Sequence, residues 1–251
     1  MASLIDPNLK VERAKVHLDE LNAQVRSFLK SEFYHLVEYD DLERQQYVLR
    51  LEVSDPPLYL GSIAGDFISC LRSSLDHLAW QLATLRTPRP PDNICFPIFG
   101  KNSPKTQEGI EKATQGIPGD AIALMESFQP YHHGDKYKLT YLWRLNKLWN
   151  IDKHRHITLH SFSVNFAFPS IISGTPCSVD NEGIMRFPLS AKKQVKFEPA
   201  TGGPALYDIV PSGNVQFGSE KDGIILVIQD FFEIYEFVSQ KVIPSFAGFF
   251  T

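Results

Sequence analysis

The chain has 251 residues, 43 % of them hydrophobic and 22 % charged, with a formal net charge of -4. That length fits one large domain or two small ones, and the composition is that of an ordinary globule rather than a disordered or fibrous chain. Net acidity argues against a general DNA binder. No apolar run is long enough to span a bilayer, and MASLIDPNLKVERAK lacks the basic, apolar, small-residue order of a signal peptide. Cys70, Cys95 and Cys177 are scattered and form no CxxC pair, so neither a disulfide framework nor a zinc ribbon is indicated. A cytoplasmic protein with no membrane association is the expectation.

Asp6-Pro7 reads as a helix start, a capping carboxylate before proline. Val11, Ala14, Leu18, Leu21, Val25 and Phe28 then recur at three- and four-residue steps, a narrow seam on a long helix. From Tyr34 to Val53 the period changes to two, and FYHLVEY, DDLERQ and the alternating run at Tyr47, Leu49, Leu51 and Val53 predict a hairpin. SDPP closes it, because neither proline donates to a ladder. A second long helix is predicted from about Leu60 to Leu85, then a TPRPPDN loop and the short extended CFPIF. Ser103-Pro104 starts a helix through about Gln115, and Pro118 to Phe128 forms another, closed by QPY. KYKLTYLWRLNKLWNIDK predicts a fourth long helix. After His154 come short β-type runs, HITLHSFSVNFAF, MRFPL, QVKFEP, NVQFG and GIILVIQD, and then a final helix, FFEIYEFVSQKVIPSF.

The fold class expected is therefore α+β: an N-terminal helical bundle with an inserted β-hairpin, then an antiparallel sheet and a C-terminal helix. The expected parts are 1–155, helical, and 156–251, sheet plus helix, with one core shared between them.

The second helix has two distinct faces. Ala64, Ile68, Leu71, Leu75, Leu78 and Leu82 form the core stripe, while Ser62, Ser69, Ser73, Asp76 and Trp80 lie opposite. Arg72 and His77 flank that second face. Small serines with one large indole suit a face covered by another helix or another subunit. In the bland alternative, Arg72 and Asp76 form a one-turn pair and His77 is a hydrogen-bonded packing residue beside Trp80.

RSSLDH, with Arg72 and His77 separated by four residues, resembles the Arg-x(4–6)-His motif of the HEPN superfamily of helical-bundle proteins. The resemblance implies a metal-independent endoribonuclease of bacterial defence or toxin systems, acting on an RNA substrate as a homodimer whose two motifs build one site. Arg72 would hold the phosphate charge and His77 would exchange the proton, chemistry that suits a guanidinium and an imidazole. Asp76 would orient one of them. LRSSLDHLAW, FPIF, QPY and NIDKHR, in that order, are also similar to a widespread group of uncharacterised bacterial proteins.

A second cluster lies in LNKLWNIDKHRHITLH. Asn146, Asn150, Lys153 and His154 share one helix face, and Arg155 follows. Asn146, Lys153, His154 and Arg155 are candidate substrate-binding residues. The alternative is that the cations complement the negative end of the helix dipole. His154 and His156 would chelate a metal if both lay on a strand, but no cysteine or glutamate stands near, so no metal is expected. There is no P-loop, GxGxxG, GxSxG or HExxH, and no cofactor is expected. The leading function is thus the ribonuclease. The runner-up is a non-catalytic module for self-association or for a protein partner, and the third is a small-molecule or metal-binding module around His154.

Overall fold

A computed structural model describes residues 2–31, 34–162, 178–179, 184–190 and 214–250. The class is α+β: helices at the N-terminus, small antiparallel sheets and a C-terminal helix. Helix α1 (Ile5–Lys30) is followed by β1 (Tyr34–Asp41), β2 (Gln46–Val53), α2 (Tyr59–Thr84), α3 (Pro104–Ala113) and α4 (Gly119–Ser127). Helix α5 (Tyr141–His154), β3 (Leu159–Phe162), β4 (Ser178–Val179) and β5 (Ile184–Pro188) come next. Strands β6 (Asn214–Ser219) and β7 (Ile224–Leu226) and helices α6 (Ile228–Glu236) and α7 (Ile243–Ser245) complete the order, with one π-helical turn, Phe237–Val242, between the last two. Among the described residues no helix is long and apolar enough to cross a membrane.

The backbone clusters into two compact units. One comprises Met1–Val25, Pro57–Leu159 and Gln216–Thr251, and the other Arg26–Pro56 and His160–Val215. The first therefore draws on both sides of residue 155. In the second, β1 and β2 form the expected hairpin, with Tyr34 opposite Val53 and Asp41 opposite Gln46. It is continued by β5 and β4 in the order β1-β2-β5-β4, so the hairpin shares its sheet with strands from far along the chain. The other sheet has the order β3-β6-β7.

In the first unit, α2 is central. The whole predicted stripe, from Ala64 to Leu82, has no solvent exposure. Phe67, Ser74 and Ala79 are buried as well, so the helix is enclosed around most of its circumference, while Ser62 and Ser69 stay exposed. Helix α1 runs antiparallel beside it. The Ser3 N–H donates to Gln81 Oε1 (3.0 Å), Gln81 Nε2 donates to Asp6 (2.8 Å), and the Tyr59 hydroxyl donates to Gln24 (3.1 Å). Leu18, Leu21 and Val25 bury the predicted seam. Asp6 lies inside the first turn and bonds Gln81 rather than capping the helix. Helix α3 has the expected cap: Ser103 Oγ accepts the Thr106 N–H at 3.2 Å. Phe231 of α6 closes the core against Phe67 (5.6 Å between ring centres) and Phe217 (4.9 Å).

Three elements differ from the sequence expectation. The fourth long helix begins only at Tyr141. Residues Pro130–Leu139 form 3₁₀ turns broken at Gly134, whose φ is 53°. GIILVIQD is strand only over Ile224–Leu226, because Asp230 Oδ2 accepts the Val227 N–H at 2.9 Å and starts α6 there. The final helix is interrupted by the π-helical turn. QVKFEP and the SVNFAF end of HITLHSFSVNFAF lie outside the described residues.

Candidate functional site

CFPIF is extended but belongs to no described strand, so its backbone groups need partners from elsewhere. The Cys95 N–H donates to the Ala113 carbonyl at 3.1 Å, and side chains serve Phe96, Pro97 and Phe99. Arg72, 5 % exposed, donates from Nη2 to the Phe96 carbonyl (2.9 Å) and from Nη1 to Asp76 Oδ1 (2.5 Å). The same Asp76 oxygen accepts the Phe96 N–H at 3.0 Å. Arg72 Nε points at Asn146 Oδ1 of α5 (3.4 Å), and its guanidinium carbon lies 5.3 Å from the centre of the Trp149 ring. Further along, fully buried Gln129 donates to the Pro97 carbonyl (2.6 Å) and accepts the Phe99 N–H (3.0 Å). Arg72, Asp76 and Gln129 thus brace one extended segment between α2, α4 and α5. Phe96 itself is fully buried, 6.4 Å from Phe246.

This geometry revises the expected face of α2. Arg72 is not at the edge of a solvent cleft; it is enclosed, and all three of its nitrogens are engaged within the chain. Asp76 orients Arg72, and both serve Phe96. Cys95 stands beside them. Burial, and secondarily the Asp76 carboxylate, raise its thiol above the ordinary value against the opposing effect of Arg72, so it is no ready thiolate.

His77 and Asp76 do line a cleft, of about 440 Å³, with Asp6, Trp80, Gln81 and Ile94. Trp80 is 36 % exposed there. The ionisable lining is two carboxylates and one imidazole, with no lysine or arginine. Asp76 is already offset by Arg72, so the charge offered to a ligand is chiefly that of Asp6: a phosphate would be repelled by it, whereas a cation would meet that carboxylate and an indole face. Asp6 was read only as a helix start, and Gln81 carried no motif. They reach the site only because α1 and α2 run antiparallel.

The second predicted cluster does not converge on one point. Asn146 faces Arg72. Lys153 leaves its ammonium 5.0 Å from the Trp149 ring centre. Arg155 caps α5 and pairs with buried Asp222, whose carboxyl is held below its usual range, first by the Ser219 hydroxyl and then by Arg155. Arg144, on the same helix, pairs with Asp230 at 2.7 Å. His154 ends α5 and His156 follows it in a loop; both are exposed. They are therefore not neighbours on one strand, and among the described residues no three histidines, cysteines or carboxylates gather as a metal site.

On helix α2 of this α+β chain, an enclosed polar network around Arg72 thus stands beside an open, indole-bearing cleft. Compared with protein-family models, with curated proteins and with solved structures, the chain matches none.

Proposed function

We propose that this chain is a non-catalytic binding module that takes a lysine or arginine side chain of a protein partner at the Trp80 cleft. The observation that carries this is the division of charge on α2. The guanidinium suited to a phosphate is enclosed and bonded to Phe96 and Asp76, while the open cleft presents Asp6, Asp76 and Trp80. An indole beside carboxylates is a good receptor for a cationic side chain, which gains both charge pairing and a cation–π contact. Large apolar residues stand exposed on the same ends of the helices: Ile5 and Leu9 on α1, and Leu85 just past α2. They give a partner apolar area around the polar anchor.

The ribonuclease reading rests on His77, which lines the cleft five residues from Arg72. It requires the guanidinium to leave a buried carbonyl and a half-buried carboxylate, at a cost of about 1–3 kcal/mol.

The test is titration with a short arginine- and lysine-containing peptide, an equally long glutamate peptide and an oligoribonucleotide, read by calorimetry. The basic peptide should bind, and Trp80→Ala and Asp6→Asn should each weaken it. Trp80→Ala preserves net charge, so equal binding by that variant reduces the effect to bulk acidity and overturns the proposal. Preferential binding of the oligoribonucleotide, lost in His77→Ala, returns the ribonuclease reading.

A further inference from the structure

A second cleft, of about 610 Å³, lies where the 3₁₀ segment Pro130–Leu139, the start of α5 and the π-helical turn meet. Its floor is aromatic. Phe237 packs edge-on against Phe128 (6.1 Å between centres) and at a tilt against Tyr141 (5.2 Å). Leu139 and Leu142 extend the apolar surface. The rim is cationic: Lys136, Lys241 and His133 line it, and no lining residue is acidic. Among the described residues neither lysine has a carboxylate partner. This contrasts with Arg144 and Arg155 nearby, each of which is paired with an aspartate.

The π-helical turn sets the relation between floor and rim. Phe237 and Lys241 both line the cleft, four residues apart, with the ammonium 5.6 Å from the centre of the Phe237 ring. Such turns depart from the regular helix at a cost in geometry and recur at functional sites. The volume is that of a small-ligand pocket.

We propose that this cleft binds a carboxylate on an apolar body, of the fatty-acid kind, with the chain over Phe128, Tyr141 and Phe237 and the carboxylate between Lys136 and Lys241. Two lysines that have no carboxylate ion-pair partner among the described residues, in a lining without acids, favour an anion, and an aromatic and aliphatic floor of this size favours an apolar body over a bare ion. The site is distinct in lining and in sign from the acidic cleft at Trp80 and is independent of its role.

The experiment is calorimetric titration of the whole chain with decanoate, decanol, decyltrimethylammonium and inorganic phosphate. Decanoate should bind best, and Lys136→Gln and Lys241→Gln should each weaken it by about tenfold, the worth of one charge-assisted contact. Lys138→Gln, which removes an exposed lysine outside the cleft, should leave binding unchanged. All three substitutions are on exposed side chains, and circular dichroism checks that each variant is folded. Equal binding of decanol or of the cation removes the role of the lysines and overturns the proposal. Phosphate binding as tight as decanoate removes the role of the aromatic floor and overturns it too, as does unchanged affinity in both lysine variants.

Discussion

Arg72 and Asp76, one turn apart on α2 and 2.5 Å from each other, hold the two backbone polar groups of the same residue, Phe96, 20 or more positions along the chain. An i, i+4 ion pair on a helix surface contributes only tenths of a kcal/mol. Here the arginine side chain is 7 % exposed and the pair replaces the ladder that an extended segment otherwise needs. The pair is thus part of the packing of CFPIF against α2.

Arg72→Ala should destabilise the chain by about 3–5 kcal/mol, because it leaves a carboxylate and a carbonyl without their donor. Asp76→Ala should cost less, since its side chain is 31 % exposed. The double variant should cost less than the two added together, with a coupling of about 0.5–3 kcal/mol, as residues in one network do. Urea unfolding of the four proteins measures this. Strict additivity would show that the two residues do not act on Phe96 together.

Gly65 of α2 packs directly on Asp152 of α5: an added Cβ would stand 2.3 Å from Asp152 Oδ1. Gly65→Ala should therefore destabilise by about 1–3 kcal/mol through overpacking. In an Asp152→Ala background the obstruction is gone, and the same change should become neutral or stabilising, because alanine favours a helix over glycine by up to about 1 kcal/mol. Melting curves of the cycle decide it; an equal cost in both backgrounds would place the strain elsewhere.

Burial, reinforced by the Asp66 carboxylate and opposed by His156, raises the Asp152 carboxyl above its ordinary value. The folded chain then holds that proton more tightly than the unfolded chain. The sign follows: this group's contribution is most favourable below the unfolded value and is lost as pH rises through the window up to the raised folded value. Asp152→Asn removes that loss. Its stability relative to wild type should rise with pH across the acidic range and then level off. Unfolding midpoints of both proteins at a series of pH values test this, and a difference that falls with pH would reverse the assignment.

Much of the fold was legible because burial imposes a period. The Ala64-to-Leu82 stripe, the α1 seam, the hairpin and the Ser103 cap all follow from local pattern, and all are present. The site was less legible, for a physical reason. The Arg72–Asp76 pair was readable from its one-turn spacing, but the other partners of Arg72 include a backbone carbonyl and an indole more than 20 residues away, and backbone acceptors leave no mark in a sequence. Gln129 was visible only as part of QPY. Its burial was readable in principle from an amide set between apolar elements, but not its targets at Pro97 and Phe99. Of the basic cluster, Arg155 is paired with Asp222, a partner 67 positions further on that local charge pattern does not reveal. The switch from β7 to α6 had a signal in Asp230, three residues after Val227, that strand-like hydrophobicity concealed.

The most direct test of the account is incubation of the wild-type chain with single-stranded and structured RNA, followed by gel analysis of the products, alongside folded His77→Ala. With Arg72 committed to Phe96 and the open cleft acidic, the account predicts no cleavage by wild type above that of the variant. Cleavage by wild type that His77→Ala abolishes would contradict it and make the α2 face a catalytic one.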